Sequence, residues 1–412
     1  MTDKNNRGLE TIPFQIVNQS GLDAPLYIWI QGMIPAEPPT EYVYVNDLKG
    51  NVADTPKKSP STTFSMALPA KDTTIQLPRL IALRVYLSFG DQLFTNTSAN
   101  GNPTSPSGWS KGDPVQGGNY GKLWDFFELT WTRDNATTTS LGANLTQLDF
   151  FGLALQLDNY GYQPDLKTEA HLTSGFEGNA RGAIVKQIES LPEPWSKLVL
   201  GAVNPAFPGI PLRIFCPYHA MELGQFPTDQ LETYINHVWS YYAGKPLAVT
   251  VSGREYTGRV QSDGSNKGFF VFKPPDSSGL QSVVIRNPNS NTRAGFVSGS
   301  KDVYECQVQL DIVGTPSDDA RDIARDLDAG FLRSTLAQGV VNGVDLDRLP
   351  LCDQTAQYYQ HQPVNMYAST LHKNAIGQKA YAFGYDDVCD QSSVGITKNP
   401  TRLVLTVHPV AG

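Results

Sequence analysis

The 412-residue sequence has little charge, few cysteines and no long hydrophobic run. Only 17% of residues are Asp, Glu, Lys or Arg, and the formal net charge is −8. Phosphate recognition needs basic patches, so this balance argues against a nucleic-acid partner. No stretch of 18 apolar residues occurs, which excludes a membrane-spanning helix by this criterion. The start, MTDKNNRGLE, has no apolar h-region and reads as a disordered polar leader over residues 1–10. The cysteines, Cys216, Cys306, Cys352 and Cys389, are far apart and form no CxxC pair. A zinc site is therefore not expected, and disulfides are allowed but not required in a chain of this size. The six histidines show no HExxH spacing, so neither a metal nor a cofactor is expected.

What is present suits short strands and turns: 36 Gly, 29 Pro, and 40% hydrophobic residues, a quarter of them aromatic. IPFQIVNQS, APLYIWIQG, EYVYVND, TTIQLP and IALRVYLSFG read as successive strands, each closed by turn-forming residues. Residues 96–121 are almost wholly turn-formers and make a long loop. KLWDFFELTW and TQLDFFGLALQL follow as strands. The texture then turns helical in ARGAIVKQIESL, PTDQLETYINHVWSYYAG and SDDARDIARDLDAGFL, with Leu231, Tyr234, Ile235, Val238, Trp239 and Tyr242 at helical spacing. KAYAFGYDDV and TRLVLTVHPV return to strands. The expected architecture is mainly β: a β-sandwich of residues 11–174 and 351–412, with a mixed α/β domain of residues 175–350 inserted.

One strand, WDFFELTW, raises a specific question: why does Glu128 sit among rings? With side chains alternating between faces, Leu123, Phe127, Leu129 and Trp131 share the core face with Asp125. Trp124, Phe126, Glu128, Thr130 and Thr132 share the other, the equipment of a groove for a polar, ring-shaped ligand. Asp149 in TQLDFFG and Asp386/Asp387 in YAFGYDDV are further acids in aromatic surroundings. Glycoside hydrolysis needs one carboxylic acid to protonate the leaving oxygen and one carboxylate to activate water or attack carbon. Neighbouring rings stack on sugar faces, and their desolvation favours a protonated acid. An acid on a half-exposed strand is also often simply solvated, and Asp pairs cap turns. The single GxSxG match, GWSKG around Ser110, lies in a loop without the strand–turn–helix context a nucleophile elbow requires.

Longer stretches weigh these readings. FELTW…ANLTQLDFFGLALQL, YYQHQPVNMYASTLHKNAIGQKAYAFGYDDVCDQSS, HVWSYYAGKPLAVTV and ARDLDAGFLRSTL together resemble glycoside hydrolase family 64, the inverting β-1,3-glucanases. The first and last parts are also similar to thaumatin-like proteins. The resemblance implies a thaumatin-like β-sandwich or barrel, Glu128 as general acid and Asp149 as general base. It implies Thr130, Trp124, Phe126, Arg84, Tyr381, Tyr385, Asp386 and Asp387 as glucan-binding or supporting residues, with Tyr358 and Tyr359 as further wall candidates. It implies a β-1,3-glucan partner in an open groove between domains, a monomer, and an extracellular location, although without a recognisable export signal a cytoplasmic one stays open. A glucan-binding lectin on the same fold is the alternative. The segment from Glu128 to Asp149 is longer than the resemblance leads one to expect.

Overall fold

The computed structural model describes residues 9–35, 42–104, 106, 117–276 and 278–411. Most of the expected leader and Ser110 lie outside the described residues. The chain divides into two compact units, residues 1–219, 370–381 and 393–412 in the first, 220–369 and 382–392 in the second. These boundaries differ from the expected ones at 174/175 and 350/351, for reasons visible in the contacts below.

The first unit is built on one hydrogen-bonded network of twelve strands. Its first strand, Thr11–Asn18, runs parallel to the last, Gly395–Val407, from Phe14 opposite Leu403 to Asn18 opposite Val407. The two ends of the chain therefore share a sheet. Leu26–Met33, Ile81–Phe89, Leu123–Arg133 and Thr139–Asn144 follow one another in antiparallel order, and Gly395–Val407 pairs with the last of these. Alternation decides which side is core. Leu123, Asp125, Phe127, Leu129 and Trp131 are all buried, and each large apolar side chain so buried stabilises the sheet by roughly 1.5–3 kcal/mol. A charge at Phe127 would break that face.

TQLDFFGLALQL is not one strand but two, Phe150–Phe151 and Leu155–Tyr162. Gly152 stands at the break because a Cβ there would lie 2.3 Å from the Trp124 carbonyl oxygen. Beyond residue 174 the chain stays with this unit through Arg181, on the helix Ala180–Glu189. Its buried guanidinium donates to the carbonyls of Gly152 at 2.6 Å and Val410 at 2.9 Å.

The second unit has a five-stranded sheet with Leu247–Val251 antiparallel to Arg254–Val260 and parallel to Arg348–Leu349. The helix Glu232–Gly244 buries Tyr234, Ile235, Val238, Trp239 and Tyr242, the stripe its spacing sets. The helix Asp318–Leu332 begins where the Ser317 hydroxyl accepts the Ala320 amide, with Asp318 and Asp319 in its first turn. Both features complement the free amides and positive end of a helix N-terminus. KAYAFGYDDV, expected as a strand, instead forms turns leading to the short 3-10 helix Val388–Asp390. Asp386 makes the turn by accepting the Ala382 amide at 3.0 Å. A Cys352–Cys389 disulfide closes the same region, while Cys216 and Cys306 are free and buried. No helix among the described residues is long and apolar enough to cross a membrane.

Candidate active site

Glu128 lies at the centre of a cross-strand row. Gln31 opposes Arg84, Arg84 opposes Glu128, and Glu128 opposes Asn144. Directly opposed residues point the same way, so the row forms one face. The Arg84 Nε donates to Glu128 Oε1 at 2.7 Å, with 37% and 34% of the two side chains exposed. Burial opposes the Arg84 charge, but Tyr86 and Glu128 outweigh it and hold its pKa above the ordinary value. Thr130, two residues along the strand, is exposed and accepts the Ala82 amide at 3.3 Å. Arg84, Glu128 and Thr130 line an open cleft of about 690 Å³ together with Gln31, Tyr42 and Thr104.

The same face closes toward its other end. Trp124 is fully buried and Phe126 is 9% exposed. Phe150 meets Trp124 edge-on at 4.7 Å, Tyr86 stacks on Phe126 at 5.5 Å, and the Arg213 guanidinium lies 5.3 Å over the Trp124 ring. The expectation that Trp124 and Phe126 present rings to a ligand is corrected: residues distant in sequence already cover them.

Asp149 sits just before the Phe150–Phe151 strand, with 25% of its side chain exposed. Phe150 and Phe151 pair with Phe215 and Ile214, and the Cys216 amide donates to the Asp149 carbonyl at 3.0 Å. The chain then enters the short helix Pro217–Glu222. This path brings Tyr218 Oη and His219 Nε2 each to 3.2 Å from Asp149 Oδ1. Neither was singled out in the sequence. The only local signal was a His two residues after a helix-starting Pro.

The Glu128 strand and the Asp149 segment are joined by Asp125 on the core face. Its Oδ2 accepts the Gly152 and Leu153 amides at 2.8 Å each, and its Oδ1 accepts the Phe126 amide at 2.8 Å. Burial pushes Asp125 up to about 7, against the pull of these amides and of Arg213. Burial likewise lowers Arg213 to about 9 and Arg181 to about 10, with Asp125 acting the other way on both.

The remaining expected residues differ in surroundings. Tyr381, in the first unit, is half-buried, and its carbonyl accepts the Gln147 amide at 2.8 Å. In the second unit Tyr385 is half-buried and Asp387 exposed. Asp386 is fully buried against Arg333 at 3.0 Å, and so cannot line a groove. Tyr358 is also buried, its ring under the Arg333 guanidinium at 4.6 Å. Among the described residues no group of three or more His, Cys, Asp or Glu could hold a metal ion.

Comparison with known proteins bears on what this arrangement serves. A family model described as β-1,3-glucanase, glycoside hydrolase family 64, matches residues 10–407. Glucan endo-1,3-beta-glucosidases of Arthrobacter sp. (strain YCWD3) and Cellulosimicrobium cellulans are each 26% identical over 410 residues, 98% of this chain. The chain spans 66% of the length of either relative. The fold is similar to that of a laminaripentaose-producing β-1,3-glucanase solved with laminaritetraose, at a TM-score of 0.78 and 24% identity, covering 97% and 99% of the two chains. It is also similar to a β-1,3-glucanase domain from Clostridium beijerinckii, at 0.70 and 23% over the same shares. The chain belongs to glycoside hydrolase family 64, the β-1,3-glucanases.

Proposed function

We propose that this protein hydrolyses β-1,3-glucan to short oligosaccharides by single displacement with inversion, Glu128 as general acid and Asp149 as general base. The observation that carries the reading is a half-exposed glutamate in an open cleft, held by Arg84, with Thr130 outward on the same strand. The relatives' names and the laminaritetraose complex supply the substrate class. In this mechanism Glu128 protonates the departing glycosidic oxygen while Asp149 takes a proton from the attacking water. Arg84 then stabilises the glutamate left behind. An inverting pair leaves room for water, with carboxyl groups roughly 6.5–9.5 Å apart. A thaumatin-like sandwich carrying an inserted α/β domain, a monomeric state and an extracellular location belong to the same proposal.

The Arg84–Glu128 ion pair also suits a second reading, in which the two side chains hold the polymer in the cleft without cutting it. Proton NMR of the first product from a linear β-1,3-glucan decides. A fresh α-anomer supports inversion, a fresh β-anomer refutes it, and no product supports the binding reading. With turnover present, Glu128→Gln and Asp149→Asn should each lower kcat by about 10²–10⁴-fold while glucan binding survives. Near-normal rates in either variant would remove that residue from its role.

A further inference from the structure

We propose that Tyr218 and His219 are positioning residues that pin Oδ1 of Asp149 and leave Oδ2 as the atom that takes the water proton. The inference rests on the reading of Asp149 as the base. Both donors converge on one oxygen, Tyr218 Oη at 3.2 Å and His219 Nε2 at 3.2 Å. A carboxylate only accepts, so Nε2 carries its hydrogen toward Oδ1. Among the described residues no donor reaches Oδ2. His219 is buried, whereas a quarter of the Asp149 side chain is open, so the pinned oxygen faces protein.

The device is rigid because its parts share one piece of backbone. The two-residue ladder of Phe150 with Phe215 and Phe151 with Ile214, and the Cys216 amide on the Asp149 carbonyl, fix the two segments against each other. The Tyr218 and His219 rings pack 3.9 Å apart at 41°, so each limits the other's rotation. The torsion that swings an aspartate carboxyl is broad and weakly restrained by itself. Two donors on one oxygen hold it in a single orientation. In the reaction the water oxygen bonds the anomeric carbon as that carbon's bond to the glycosidic oxygen breaks. The proton of Glu128 goes to the departing oxygen and the water proton goes to Oδ2. A carboxyl that turns away misplaces the acceptor, and misplacement by about 1 Å can cost about 10²-fold.

The test is steady-state kinetics on a linear β-1,3-glucan with melting temperatures recorded for every variant. Tyr218→Phe, which removes only the hydroxyl, is expected to lower kcat about 10-fold, and His219→Leu about 10- to 100-fold, with KM within about twofold. His219→Gln restores an N–H donor and is expected to recover most of the loss. Tyr218→Phe with native kcat overturns the proposal, as do equal losses in His219→Gln and His219→Leu, or a loss confined to KM. If His219→Leu does not fold, Tyr218→Phe decides alone. Asp149→Asn separates the two levels. If it turns over normally, the base reading falls and this proposal with it. If it is inactive while Tyr218→Phe is normal, only the positioning role falls.

Discussion

Asp149 and Asp386 look alike as text, an acid beside aromatic residues in a β-rich stretch, yet the two regions use them differently. Asp149 keeps a quarter of its side chain open and meets two donors on one oxygen. Asp386 is wholly buried and clasps Arg333, whose guanidinium also donates to the carbonyls of Asp386 and Val388 and lies over the Tyr358 and Phe383 rings. Burial works against the Arg333 charge, but Asp386 leads the groups that hold its pKa above the ordinary value. The lesson is one of electrostatics. A charge sealed in with an opposite charge fixes a fold, whereas a carboxylate left partly open, with its donors gathered on one oxygen, keeps the other oxygen for a ligand.

The comparison breaks most clearly on stability. Asp386→Ala strands the Arg333 charge in a dry site, and loss of one partner of a buried pair costs about 3–5 kcal/mol. Asp149→Ala loses hydrogen bonds at a part-open position, and should cost about 1 kcal/mol. Denaturant unfolding of both variants measures the difference. Equal costs would mean that Asp149 is as structural as Asp386, and would undercut its assignment to chemistry.

A second test uses pH. Asp125 shares a strand with Glu128 but faces the core, and burial raises it from 3.8 to about 7. The folded state therefore binds this proton more tightly than the unfolded state. Its contribution to stability is full below about pH 4 and is lost as pH rises through about 7. The slope from this one group is at most about 1.4 kcal/mol per pH unit. Asp125→Asn should flatten the wild-type decline in stability between pH 4 and 7, whatever its effect at one pH. An unchanged slope would show that Asp125 is ionised throughout, held by the Gly152, Leu153 and Phe126 amides.

These residues also show how far the sequence could be read. Alternation along WDFFELTW separates its two faces correctly, because the pleat is a local property of the backbone. It also places Thr130 with Glu128, whereas Arg84 joins them only once the resemblance is added. Local pattern does not reveal that Phe150, Tyr86 and Arg213 cover Trp124 and Phe126, since that cover comes from other strands. It misses the turn at Asp386 and the boundary beyond residue 174 for the same reason. Each depends on a distant buried arginine, Arg333 in one case and Arg181 in the other. Tyr218 and His219 reach Asp149 through strand pairing some 70 residues away in sequence, and no spacing rule encodes that.

The smallest expected effect is at Thr130, where the two sides of the comparison meet in one hydroxyl. Its Oγ1 accepts the Ala82 amide at 3.3 Å, and Ala82 holds a left-handed backbone with φ of 47°. Thr130 thus has a structural task, yet it is exposed in the cleft beside Glu128. Thr130→Val keeps the shape and removes the hydroxyl. If the hydroxyl serves glucan, the variant loses one hydrogen bond in the complex, about 0.5–1.5 kcal/mol, or about 2- to 12-fold in kcat/KM. Stability should then barely change, because the exposed Ala82 amide turns to water. If the hydroxyl only restrains Ala82, the reverse holds: unfolding becomes easier by about 1 kcal/mol and kcat/KM stays at the wild-type value. Kinetics and denaturant unfolding of this variant assign Thr130 to the substrate or to the backbone beneath it.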